Sequence, residues 1–201
     1  MYNTEKQAGF ALLISLLVVG VVISVGLSIL DLSIKQVRLA SNATESEKAF
    51  HAANAGIECA RYWRRELASD IEDGMPLSPS PSCFGQSKPD GNNVTLDRIP
   101  DSNILGDGFA FRYQYEFTWG TGADVKCSRV NMIALVPLFV GTGMTVTKVD
   151  DFLPGYPSSP NANKTCLAGG RCNVIAVQGF NVACARTGDY GVVQREILVE
   201  F

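Results

Sequence analysis

From Phe10 to Leu30 the chain reads FALLISLLVVGVVISVGLSIL, 21 uncharged residues in which only Ser and Gly interrupt Leu, Ile, Val, Phe and Ala. At 1.5 Å per residue, a helix over this stretch spans about 30 Å, the hydrocarbon thickness of a bilayer. No proline appears between Phe10 and Glu72, and beyond the span apolar residues recur at spacings of three, four or seven through Leu39, Ala43, Phe50, Ala53, Ile57, Ala60 and Leu67. Lys35, Arg38, Glu45, Glu47, Lys48, Arg61 and Arg65 fall outside that stripe and read as a solvated face. The pattern predicts one helix from Phe10 to about Ser69, a rod of about 90 Å, apolar all round over residues 10–30 and amphipathic over 31–72.

Residues 73–103 are rich in Pro, Ser, Gly, Asp and Asn and read as a connecting loop. The period then changes from helical to two. Phe109, Phe111, Tyr113, Tyr115, Phe117 and Trp119 alternate with Ala110, Arg112, Gln114, Glu116 and Thr118, which predicts a strand whose aromatic face packs on the long helix. Further strands are expected at 128–138, 142–149, 173–184 and 192–201, where β-branched residues recur between turn residues. The fold class is therefore α+β: a long N-terminal α-helix, transmembrane then amphipathic, packed on an antiparallel β-sheet head that occupies 73–201.

Three accounts of the apolar segment compete. A secretory signal peptide has a shorter apolar core followed by a small-x-small cleavage site, whereas Asp31-Leu32-Ser33-Ile34-Lys35 continues as helix. A globular core helix needs partners on every side, which a head this small hardly supplies. A membrane anchor fits best, and insertion is favourable by roughly 5 kcal/mol. Orientation is not settled by the flanking cations, with Lys6 before the span and Lys35 and Arg38 after it.

Composition narrows the function classes. With 17 basic and 20 acidic side chains the net charge is −3, which gives no footprint for gripping nucleic acid as the main partner. Six cysteines, at 59, 83, 127, 166, 172 and 184, all follow the apolar segment, and an even set points to an oxidising compartment on the exported side. Six allow 15 pairings, among which sequence does not choose. Position along the chain suggests Cys166 with Cys172 across a Gly-rich loop, Cys59 with Cys83 between a helix end and the next loop, and Cys127 with Cys184 between strands.

No C-x-x-C occurs, and the single histidine, His51, lies far from any Cys-rich cluster, which disfavours zinc. Asp150 with Asp151, and the Asp90–Asn93 turn with Asp97, offer oxygen ligands, yet neither has the spacing of a calcium loop and both read as solvated turns. A lone His51 on an amphipathic helix provides no base for nucleophilic chemistry, so no enzyme, cofactor or metal is expected.

The first nine residues, MYNTEKQAG, form a short polar leader with Lys6 that ends in Gly9 immediately before Phe10 and the apolar run. This junction resembles the processing site of type IV pilins and type II secretion pseudopilins. The resemblance implies cleavage between Gly9 and Phe10 by a prepilin peptidase and N-methylation of Phe10. Most major pilins carry Glu at the fifth mature position, where this chain has Ile14. An unpaired carboxylate at membrane depth costs about 3 kcal/mol. The apolar residue therefore resembles the minor pilins and pseudopilins of the PilX and GspK type. The segment Ala49–Ala60 also resembles the Ala- and Gly-rich stretch of PilX-type proteins, with Asn54 where an acid is usual, and a small-residue face for tight helix packing accounts for the alanines equally well. The closing segment 192–201 resembles the last strand of PilX-type heads.

These resemblances imply a structural minor subunit, at a tip or initiating position, of a type IV pilus or type II secretion pseudopilus. Its apolar helix would leave the inner (cytoplasmic) membrane to bundle with those of other subunits in the fibre core, at the pilus or cell surface. The alternative is a single-span, membrane-tethered adhesin or binding module that does not polymerise. On either reading, the Pro- and Gly-rich stretch 150–173 is the expected contact surface of the head for a neighbouring subunit or a surface ligand.

Overall fold

A computed structural model describes residues 5–77, 82–83, 94–138, 141–158, 160 and 162–201. The chain divides into two units, Met1–Thr44 and Glu45–Phe201. The first contains most of helix α1, Glu5–Glu66, whose 62 residues lack proline and so keep the backbone ladder intact.

The second unit holds the end of α1 and everything after it. The expected single helix to Ser69 is interrupted at Leu67 (φ −107°, ψ 35°), and a separate short helix α2, Ala68–Glu72, follows. Gly74 stops it in a left-handed conformation (φ 65°). The Met75 N–H donates to the Asp70 carbonyl (2.8 Å) and the Gly74 N–H to that of Ile71 (3.4 Å), the paired bonds of a Schellman turn. Only glycine fits there, because a Cβ would run into the Phe111 ring. The Tyr113 hydroxyl donates into the same group of carbonyls, 3.2 Å from that of Ile71. Burial above all, with Asp70 nearby, pushes its pKa up to about 12, so it remains a donor.

Among the described residues eight strands follow, with a helical turn α3 (Val149–Phe152) between the fifth and sixth: β1 Thr95–Arg98, β2 Ile104–Gly106, β3 Gly108–Trp119, β4 Lys126–Pro137, β5 Met144–Val146, β6 Lys164–Cys166, β7 Cys172–Phe180 and β8 Gln194–Glu200. All pairings are antiparallel, and they form a five-stranded sheet in the order β1-β3-β4-β7-β8 and a three-stranded one in the order β2-β5-β6. The α+β class is thus the observed one.

One face of the large sheet packs on α1 and α2. Tyr113, Tyr115, Phe117, Val130, Met132 and Val177 meet Ile57, Ala60 and Ile71 there. On the opposite face Ala110, Ile133, Leu135 and Val174 meet Met144, Val146, Val149 and Leu153 of the second layer. Being covered on both sides, β4 and β7 are buried along most of their length, whereas β3 alternates because most of its second face is only half-buried.

The structure corrects several expectations. Leu39 (69% exposed), Ala43 and Phe50 (47% exposed) lie outside the buried stripe of α1, which consists of Ala49, Ala52, Ala53, Gly56, Ile57, Cys59, Ala60 and Arg64. The reason is proximity. A Cβ on Gly179 of β7 would overlap the Ala49 carbonyl oxygen and the Ala53 nitrogen, and one on Gly56 would overlap Val177. The Ser128 Oγ donates to the Ala52 carbonyl at 2.6 Å across the same seam. Backbones this close admit only the smallest side chains, so hydrophobicity alone misplaces the stripe.

The expected loop 73–103 contains β1, held to β3 by the register Thr95↔Gln114, and Ile99 is fully buried. The strand expected at 142–149 is only Met144–Val146, because Lys148 turns left-handed (φ 53°) into α3. The strand expected at 173–184 stops at Phe180, and Cys184–Arg186 form a 3-10 turn. The stretch 150–173 is structured: Leu153 and Tyr156 are buried, and β6 pairs with β5.

Gly179→Ala is expected to destabilise the sheet unit by about 1–3 kcal/mol through overpacking against helix backbone, read as a lowered thermal midpoint in detergent. Gly188→Ala, where a Cβ would meet nothing within 4 Å, is expected to leave that midpoint unchanged.

Candidate membrane and assembly surface

In the first unit the large apolar side chains from Phe10 to Leu39 are all exposed. The most apolar 18-residue window of α1 has a mean hydropathy of 2.8 and is 0% buried. One helix is therefore long and apolar enough to cross a membrane. Soluble monomers rarely expose a continuous apolar surface larger than a few hundred Å².

The polar atoms of this segment are satisfied within it. Hydroxyls donate to carbonyls one turn back, Ser15 to Leu12 (2.8 Å), Ser24 to Val21 (2.9 Å), Ser28 to Ser24 (2.9 Å) and Ser33 to Ile29 (2.9 Å). Asp31 and Lys35, one turn apart, pair at 2.8 Å. The surface thus offers lipid or another helix almost nothing but hydrocarbon.

Gly9 and Phe10 both lie in helical backbone, with the Phe10 ring 69% exposed, and Ile14 is part of the same uncharged surface. His51 is on the exposed side of α1, its Nε2 3.6 Å from Glu47.

Three disulfides tie the second unit together. Cys59–Cys83 joins α1 to the segment after α2 (Cα–Cα 6.0 Å), Cys127–Cys184 joins β4 to the 3-10 turn (4.8 Å), and Cys166–Cys172 joins β6 of the small sheet to β7 of the large one (5.8 Å). A loop the size of the first contributes about 3–4 kcal/mol by restricting the unfolded chain. Among the described residues Glu116, Cys127 and Cys184 come close enough to hold a metal. Both thiols are consumed by the disulfide, and the Glu116 carboxylate accepts from Arg129 Nε at 2.9 Å. The Asp97 carboxylate is engaged by Arg112, and the Asp90–Asn93 turn lies outside the described residues.

A feature that periodicity did not reveal lies where α1 passes the end of β8. A cleft of about 580 Å³ is lined by Arg61, Arg64, Arg65, Arg171, Val199 and neighbouring residues. Arg64 is 7% exposed, and its guanidinium donates to Asn173 Oδ1 and, at 2.9 Å, to Glu72 Oε1. Glu72 Oε1 is also 3.4 Å from Arg171 Nε. Only the departure of a cation from the solvated face could have signalled this site, and no sequence period carries that information.

Two carboxylates on β8 respond to pH with opposite sign. Burial raises the pKa of Glu196, so its ionised form carries a penalty above the folded value that vanishes below the unfolded one. Glu200 is also desolvated, yet bonds from Lys164 (2.7 Å) and Tyr156 outweigh burial and lower its pKa. Its contribution is present above the unfolded value and is lost as pH falls through the folded one. Thermal melts should therefore show Glu196→Gln stabilising and Glu200→Gln destabilising at neutral pH, with both effects gone well below the carboxylate range.

Comparison of the chain with protein-family models, curated proteins and solved structures finds no match, so the functional reading rests on these residues alone.

Proposed function

We propose that this chain is a structural minor subunit of a pilin-like or pseudopilin-like fibre, held in the inner membrane by Phe10–Leu30 with its disulfide-bearing sheet unit exported, then assembled by bundling of apolar helices. One observation carries the reading: the most apolar window of α1 is wholly unburied, while the same helix from Ala49 onward is built into the core of the sheet unit. A helix covered by its own protein at one end and uncovered along an apolar stretch at the other needs lipid or like helices around that stretch.

The Gly9–Phe10 junction supports processing by a prepilin peptidase, and Ile14 supports a minor, tip or initiating position, because it brings no carboxylate into the apolar interior that would need an amine. The cysteines support an oxidising compartment for the sheet unit, which orients the span with its C-terminal side exported. A membrane-tethered binding module would share the anchor but not the processing.

Mass spectrometry of the chain recovered from membranes separates the two. Phe10, N-methylated, is expected at the mature terminus, and a chain still beginning at Met1 would count against assembly and favour the tethered module.

A further inference from the structure

Among the described residues, the long edge of the large sheet beside the arginine cleft has no backbone partner. β8 is the outermost strand, and its seven pairs with β7 run from Phe180↔Gln194 to Val174↔Glu200 without a bulge or a proline. The hydrogen-bonding phase is fixed at both ends. Below the strand the Asn181 N–H donates to the Val193 carbonyl (3.3 Å), and above it Asn173 and Phe201 exchange both bonds (2.7 and 3.1 Å). Antiparallel pairs alternate between bonded and non-bonded. Arg195, Ile197 and Val199 therefore bond β7, and Gln194, Glu196, Leu198 and Glu200 turn their N–H and C=O groups outward. Among the described residues no backbone group meets them. Such an edge is a template for another strand unless something covers it.

The charge beside this edge runs against the sign of the whole chain, which is −3. Four guanidiniums line the cleft, and Glu58 and Glu72 balance two of them. Glu200 is taken by Lys164. Arg65 is exposed and makes no ion pair with a described residue, and the Arg171 side chain is 72% exposed. Val199 and Ala68 add an apolar floor. A strand added along β8 would direct alternate side chains toward α1, the side on which Ile197 and Val199 already point, where Arg61 and Arg65 lie.

We propose that the β8 edge and the arginine cleft together receive an extended acidic segment of another protein, added as a sixth strand with its carboxylates on Arg61, Arg65 and Arg171. Main-chain bonds to Glu196 and Leu198 supply affinity, and the guanidiniums select acidic side chains and set the register. Edge and cleft lie wholly within Glu45–Phe201, so the proposal stands apart from the fate of the apolar helix.

The test uses the full chain in detergent micelles and a fluorescent peptide alternating Glu with Val, compared with the same peptide N-methylated along its backbone, which keeps every carboxylate but loses its main-chain donors. The plain peptide should bind, slow the amide exchange of Glu196 and Leu198, and weaken about tenfold or more both on N-methylation and with Arg65→Glu. Arg65→Ala, with an unchanged thermal midpoint, serves as the variant free of added repulsion and should weaken binding in the same direction. Equal binding of the N-methylated peptide, or equal competition by inorganic polyphosphate, would reduce the cleft to a plain anion site and overturn the proposal. So would no binding of the plain peptide, or binding indifferent to Arg65.

Discussion

The apolar surface of α1 that the protein does not cover itself is the constraint on which the rest depends. Burying apolar area is the main favourable term in folding, and here the stretch Phe10–Leu30, as apolar as a bilayer core, contributes none of that area to the fold. Its serines bond their own backbone, and the first charges after the span, Asp31 and Lys35, pair with each other. Such a segment gains by transfer into hydrocarbon, whether lipid or other helices.

The sheet unit must then hold the other end of the same helix firmly. It does so by closeness rather than bulk. Ala49, Ala52, Ala53 and Gly56 bring helix backbone against Gly179 and Ser128, and larger residues such as Ile57 and Tyr113 fill the space further along. The Cys59–Cys83 bond and the buried Arg64 with Asn173 and Glu72 secure the last turns of the helix and α2. A second layer on the far face of the sheet makes β4 and β7 the stiff centre of the unit and leaves β8 as its open margin.

The parts of this architecture legible in the sequence are those with a clean period. The uncharged run from Phe10 and the strict alternation from Phe109 to Trp119 announce an apolar helix and an aromatic sheet face, and together they are enough for the α+β class. The small-residue face over Ala49–Ala60 was legible too, and Ala53, Ile57 and Ala60 are buried, but Phe50 lies outside and Gly56 inside because contact there selects small size over hydrophobicity. β1, β2, β5 and β6 were hidden, or overextended, because strands of three or four residues between turn residues are too short for periodicity to register. The open edge and the arginine cleft exist only after β8 has been placed beside β7 and α1, so no local pattern could announce them.

On the proposed reading Phe10–Leu30 is covered by hydrocarbon and not by this protein. Membranes from cells making the full chain, washed in alkaline carbonate and then treated with detergent, measure this most directly. The chain is expected to stay with the membrane through the wash and to be released by detergent. Recovery of the intact chain as a monomer in the aqueous fraction, with that segment protected from exchange inside its own fold, would contradict it.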